Sequence, residues 1–300
     1  MAAVLVVAAV AAATLYLLLR DSDDEPSWTS TPGRAVAARS CAELPDPQFG
    51  FERLPPVREP RFDVPSPYGW PDVSLAGTNG RLVRPGQYYG VALEDATRQR
   101  VTRDWRVKVR MLQLDEQGEV MEEVSHDKLP EQQGEREMMP QMRMRVGEEP
   151  GFYKLDIRVT DAGRWSGRYG LYVKAEPPHG EGRLVLAGRR FRAGESVEMR
   201  VENLGTEKLD YGEAVSLERE SGDGWEPVPA EYAFHLIGYW TEGGEVGNCL
   251  SYKLPADLSP GRYRFVKEVS THKEPRGYHD HFLTAEFEVI DPSSGELGRP

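Results

Sequence analysis

Three groupings of side chains in this sequence have the types and spacing to do chemistry. His279-Asp280-His281 sets two imidazoles at i and i+2, which share a face if the segment is a strand, and such a pair can begin a metal site. No third ligand is indicated, so a polar turn entering a strand is the reading taken, and no metal and no cofactor are expected. Cys41 and Cys249 are the cysteines of the chain, too far apart for a zinc knuckle and without a C-x-x-C redox pair. Cys249 with His235 or His279 as base would make a thiol nucleophile, yet extracytoplasmic thiols are usually paired, and no catalysis is assigned. A bridge between them would close a loop of about two hundred residues, on the order of 5 kcal/mol by chain entropy before strain. It requires a Cα separation under about 7 Å, and two free thiols are the alternative.

The third grouping is cationic. Arg106, Lys108 and Arg110 alternate with apolar residues, as do Arg143 and Arg145, and Lys154 and Arg158. Side chains two residues apart share a sheet face, so these positions would sum to an anion-binding face if their strands were neighbours. Wall phosphopolymers or lipid headgroups would be suitable ligands, and pairing with Asp156 and nearby glutamates is the competing account. Asp115 to Glu119 and Glu148-Glu149 lack the register of a calcium loop. No G-x-S-x-G elbow, H-E-x-x-H helix or P-loop occurs, which argues against an enzyme. Trp165 and Trp240 could be exposed carbohydrate platforms, although sandwich tryptophans are more often core.

The elements that would position these groups follow from the rest of the chain. Three hundred residues suit two domains of ordinary size, and a net charge of −12 opposes nucleic-acid binding. Ala2 to Leu19 is an uncharged apolar run, long enough to cross a membrane as one helix, and Arg20 and a run of acids follow it. An uncleaved anchor at residues 1–20 is therefore expected, with membrane contact through residues 2–19 and the remainder outside the cytoplasm. A cleaved signal peptide is the alternative, with its A-x-A at Ala35-Val36-Ala37 far beyond the run. Residues 21–67 are proline-rich and read as an extended stalk with short apolar patches that can dock.

Period-two alternation then marks strands. Trp105 to Met111, Met142 to Val146, Tyr153 to Val159 and Tyr169 to Val173 fit a first β-sandwich at 68–176. Glu176-Pro177-Pro178-His179-Gly180 breaks the pattern as a hinge, a second sandwich fits 181–291, and 292–300 is a polar tail. Pro150-Gly151-Phe152-Tyr153 is echoed by Pro260-Gly261-Arg262-Tyr263, where each tyrosine can pack its ring and bond loop backbone through its hydroxyl.

With Tyr211-Gly212, Leu217-Glu218, Gly224-Trp225 and Leu258 to Arg264, the stretch from about Leu184 to Ile290 resembles the bacterial immunoglobulin-like domains of envelope proteins. The first domain matches more loosely. The resemblance implies two tandem Ig-like sandwiches, an all-β fold, and no catalytic residues to carry over. The expected role is a membrane-anchored binding or spacer protein of the cell envelope, with an unidentified envelope polymer or protein as partner. An inhibitor or regulator of a secreted enzyme is the alternative. It would present Tyr239 to Val246, a loop that Gly243-Gly244 makes look flexible.

Overall fold

The computed structural model describes residues 27–55, 73–77, 81–95, 105–128, 141–161, 165–222, 224–229, 237–273 and 277–291. Among these residues the fold is all-β, with two 3-10 turns at Cys41–Glu43 and Phe51–Arg53. No helix among them is long and apolar enough to cross a membrane; the anchor expected at residues 2–19 and the tail at 292–300 lie outside the described residues.

The chain begins with two short strands, β1 (Ser27–Ser30) and β2 (Arg34–Val36). The first sandwich follows with β3 (Val73–Gly77), β4 (Leu82–Val83), β5 (Tyr88–Asp95), β6 (Trp105–Leu114), β7 (Val120–Lys128), β8 (Gln141–Arg145), β9 (Gly151–Asp161) and β10 (Trp165–Ala175). Its sheets run β3-β5-β8 and β4-β10-β9-β6-β7. Alternation decides what they bury: Tyr89, Met142 and Met144 from the smaller sheet meet Val109, Met111, Tyr153, Leu155 and Ile157 from the larger.

The second sandwich starts with β11 (His179–Ala187), β12 (Arg190–Arg192), β13 (Ser196–Asn203), β14 (Leu209–Tyr211) and β15 (Ser216–Ser221). It continues with β16 (Gly224–Pro227), β17 (Tyr239–Thr241), β18 (Leu250–Lys253), β19 (Gly261–Lys273) and β20 (Gly277–Ile290). One sheet contains β11-β13-β18; the other runs β12-β20-β19-β14-β17, with β15 on β19 and β16 on β15. Leu184, Val197, Met199 and Val201 pack there against Leu209, Phe265, Leu283 and Phe287.

The two sandwiches share a topology. In each, the opening strand belongs to one sheet and the next short strand joins the other sheet in parallel, β4 on β10 and β12 on β20. Both repeat the same corner. Gly151 and Gly261 take φ of 151° and 154°, and the Tyr153 and Tyr263 hydroxyls donate to the carbonyls of Glu149 and Ser259, each at 2.7 Å.

The segment read as a stalk is folded where it is described. β1 and β2 both run parallel to β11, Ser27 beside His179 and Val36 beside Ala187, so together they form one interrupted edge strand. The chain then turns back across the second sandwich, and Phe51, Leu54 and Pro55 dock on the first. Phe51 meets Phe152 edge to face at 5.8 Å, and the Tyr172 hydroxyl donates to the Pro55 carbonyl at 2.7 Å. Residues 27–55 are thus a strap over both sandwiches. Low apolar content did not prevent this, because adding a strand to an open edge is paid largely in backbone hydrogen bonds.

The junction also corrects the expectation of a flexible loop at Tyr239 to Val246. Gly243 and Gly244 are buried against Leu82 of the first sandwich, and the Arg81 and Leu82 amides donate to the Gly243 carbonyl at 2.8 and 2.9 Å. A Cβ on Gly243 would stand 2.4 Å from the Leu82 carbonyl oxygen and 2.8 Å from that of Gly205. Gly243→Ala should therefore separate the sandwiches locally and lower stability by about 1–3 kcal/mol, as overpacking does. Urea unfolding of the full chain checks this, and an unchanged midpoint would show that the junction bears no load.

Candidate functional site

The strap is built on three side-chain sets. Cys41 and Cys249 form a disulfide with Cα atoms 5.9 Å apart, which ties the strap to the residue before β18 across 208 positions of sequence. Beside it, the Cys41 amide donates to Glu198 at 2.7 Å, and Cys41 and Leu44 cover Val185 and Ala187 on the outer face of β11. Farther along that face Glu202 is fully buried, within 2.6 Å of Arg183, 3.1 Å of Arg200 and 3.5 Å of Arg34 from the strap. A carboxylate removed from water needs such partners, and the strap supplies one of them. Cys41, Glu198 and Cys249 would otherwise be a group able to hold a metal, but both sulfurs are consumed by the bond.

His281 of the histidine pair belongs to the same device. His281 stacks on Trp28 of β1 with ring centroids 3.7 Å apart, and its Nε2 lies 3.1 Å from the Thr271 hydroxyl. Burial, and then the neighbouring His279, hold its pKa below the ordinary imidazole range. His279 is exposed, and the Ser270 hydroxyl donates to Asp280 at 2.8 Å. The motif therefore anchors the strap over the seam between β11 and β20.

The seven cations expected to share a face are not all brought together. β6 and β9 are neighbours, but β8 lies in the opposite sheet, so Arg143 and Arg145 stand apart from the rest. Arg145 pairs with Glu148. Arg110 pairs with buried Asp156 and sits 3.5 Å from Glu123, which together hold its charge firmly. Lys154 reaches over the Tyr172 ring at 5.9 Å, and the Arg106 side chain lies outside the described residues. Lys108 and Arg158 remain exposed, directly opposite each other, and neither forms an ion pair among the described residues. Cross-strand register adds two positions that periodicity alone did not single out, Lys128 opposite Lys108 and Arg168 opposite Arg158.

Two features of the second sandwich complete the inventory. Trp240 is 62% exposed and lines a shallow cleft with Tyr278, Asp210 and Ser270, while Lys208 stands 5.1 Å over its ring. Trp165 lies outside the described side chains. Between β14 and β15 the strand opposite β19 is interrupted, and Lys267, 1% exposed, fills the gap by donating to the Ala214 carbonyl at 2.8 Å. Burial lowers its pKa from 10.5 to about 8. Its ammonium lies 5.5 Å from the Tyr211 ring.

Residues 189–288 match the bacterial Ig-like domain family, and the second sandwich is such a domain. No curated protein matches the chain in sequence. Among solved structures, Escherichia coli alpha-2-macroglobulin activated by porcine elastase aligns at 13% identity and TM-score 0.27, over 74% of this chain and 22% of that one. A Salmonella alpha-2-macroglobulin mutant aligns at 16% identity and TM-score 0.26, over 74% and 16%. A Corynebacterium diphtheriae protein to which membrane anchoring has been ascribed aligns at 10% identity and TM-score 0.25, over 71% and 58%. The chain spans about a fifth or less of those macroglobulins.

Lys267 gives the second sandwich a pH dependence of known sign. With its folded pKa near 8 and its ordinary value 10.5, the unfolded chain binds more protons between the two, so stability rises with pH across that window. Tyr211, whose pKa burial raises to about 12, opposes this once unfolded tyrosine ionises above pH ~10. Urea midpoints should therefore climb from pH ~8 to ~10, and Lys267→Met, which has no group to titrate, should flatten the climb. A wild-type midpoint that falls between those pH values would contradict the assignment.

Proposed function

We propose that this chain is a non-catalytic binding protein of the cell envelope, tethered by its N-terminal apolar run, with both sandwiches outside the cytoplasm. The Cys41–Cys249 bond carries the reading, since structural disulfides form and persist in oxidising compartments. The bacterial Ig-like second sandwich supports it, because the residues that define that match build turns and core rather than a reactive centre.

The strap changes how such a protein would stand. Six residues separate Arg20 from Ser27, and a fully extended chain across that gap reaches ~25 Å. Ser27 pairs with His179 at the junction of the sandwiches, so the tether would hold the molecule by its waist and close to the bilayer. A long spacer is therefore the less favoured form of the proposal. The alternative of an inhibitor loop at Tyr239 to Val246 loses its support, because Gly243 and Gly244 are enclosed in the junction.

Protease added to intact spheroplasts should degrade the sandwiches. In the same cells Cys41 and Cys249 should resist maleimide labelling until a reductant is added. Protected sandwiches would place the protein on the other side of the membrane, and labelling without reductant would remove the bond from which the compartment is argued.

A further inference from the structure

The register of the first sandwich sets four cationic residues in one line across four strands. Lys128 on β7 faces Lys108 on β6, Lys108 faces Arg158 on β9, and Arg158 faces Arg168 on β10. Strands lie about 4.8 Å apart, so the line is about 14 Å long with a cationic position at each step. No acidic residue stands in it. On one side the next register row places Arg110 beside His126 and Asp156; on the other, Arg106 faces Thr160 and Thr160 faces Ser166. Lys108 and Arg158 are exposed and, with Arg110, line a cleft of about 270 Å³ whose β7 side carries Glu123, His126 and Asp127. Glu123 already lies near Arg110 at 3.5 Å and near His126 at 3.1 Å.

Like charges directly opposite on neighbouring strands destabilise a sheet. Lys108 and Arg158 are such a pair, in a row whose outer positions are also cationic, and an anion spanning the strands would relieve it. We infer that the outward face of β7-β6-β9-β10 binds an extended phosphodiester polymer laid across the strands along this row. A line of charges one residue deep fits a linear polyanion better than a plane of headgroups, from which a chain of net charge −12 is repelled elsewhere on its surface. Arginine in the row favours phosphate, whose oxygens accept the guanidinium fork in two parallel hydrogen bonds. This deepens the binding reading above but does not depend on the side of the membrane, so a measurement on purified chain separates the two.

The test uses the full chain in nonionic detergent and poly(glycerol phosphate) as probe, with affinity measured by titration calorimetry from about 20 to about 300 mM salt. Counterion release gives a slope of about −0.7 in log affinity per phosphate neutralised on a single strand, so a slope of about −2 to −3 is expected. Lys108→Ser with Arg158→Ser should weaken binding at least about tenfold at low salt and flatten the slope by about one unit. Arg143→Ser, on the opposite sheet, should change neither. Lys108→Ser alone should leave the melting temperature of the free protein equal or higher, which separates lost binding from lost folding. No binding at low salt, or an equal loss with Arg143→Ser, overturns the proposal. Equally tight binding of polygalacturonate or of phosphatidylglycerol vesicles overturns its ligand class.

Discussion

The bond between Cys41 and Cys249 holds in place the cover of β11 and β13, and the outer face and edge of that sheet depend on the cover. Without it β11 would show an open edge, Val185 and Ala187 would be wet, and Glu202 would lose Arg34. A three-residue strand such as β2 has little binding energy of its own. The disulfide fixes the chain just beyond β2, so the segment docks from a short tether, and a few backbone hydrogen bonds and the Trp28 stack on His281 suffice because its effective concentration is high. The same strap continues to Phe51 and Leu54 on the first sandwich, so one covalent link bears on the placement of both.

The sandwiches solve the same packing problem with the same strand order but different reserves. Each hangs its core on a corner tyrosine whose ring is buried and whose hydroxyl is satisfied four residues upstream. In the first, the strand beside β9 is continuous and its outer positions Lys108 and Arg110 are charged. In the second, that strand is broken into β14 and β15, and Lys267 enters the core to satisfy the Ala214 carbonyl at the break. A buried ammonium with a carbonyl and an aromatic ring for company is a weak solution to an unpaired backbone group. It marks the interrupted strand as the least ideal part of that core.

Much of this was legible in the sequence because strands write their burial in period two. Tyr153, Leu155 and Ile157, or Leu283, Ala285, Phe287 and Val289, give the inward face directly. The Pro-Gly-x-Tyr echo likewise gave the corners. What periodicity does not carry is which strand lies beside which. Arg143 and Arg145 alternate as cleanly as Lys108 and Arg110, yet β8 is in the other sheet. The strap escaped for a related reason: Ser27–Ser30 and Arg34–Val36 have no apolar pattern, and their partner β11 lies some 150 positions along the chain. His281 read as a polar turn because its partner, Trp28, is still more distant in sequence.

The chain handles crowded positive charge in two ways, and the difference lies in solvent. Around Glu202 three guanidinium groups converge under the strap, where low dielectric makes any unpaired charge expensive, and each is held by Glu202, with Asp46 a further 3.5 Å partner of Arg200. Arg200 there also donates to the Pro45 carbonyl at 2.8 Å. Across β7-β6-β9-β10 Arg110 has Asp156, but Lys108 and Arg158 stand in water and form no ion pair among the described residues. At strand spacing in bulk water a like-charged pair repels by about 1 kcal/mol, and long side chains that splay into the solvent approach that limit. The row is therefore tolerable in the free protein without being neutralised from within. A row with a cationic position on each of four strands and no acid among its positions leaves neutralisation to something outside the chain.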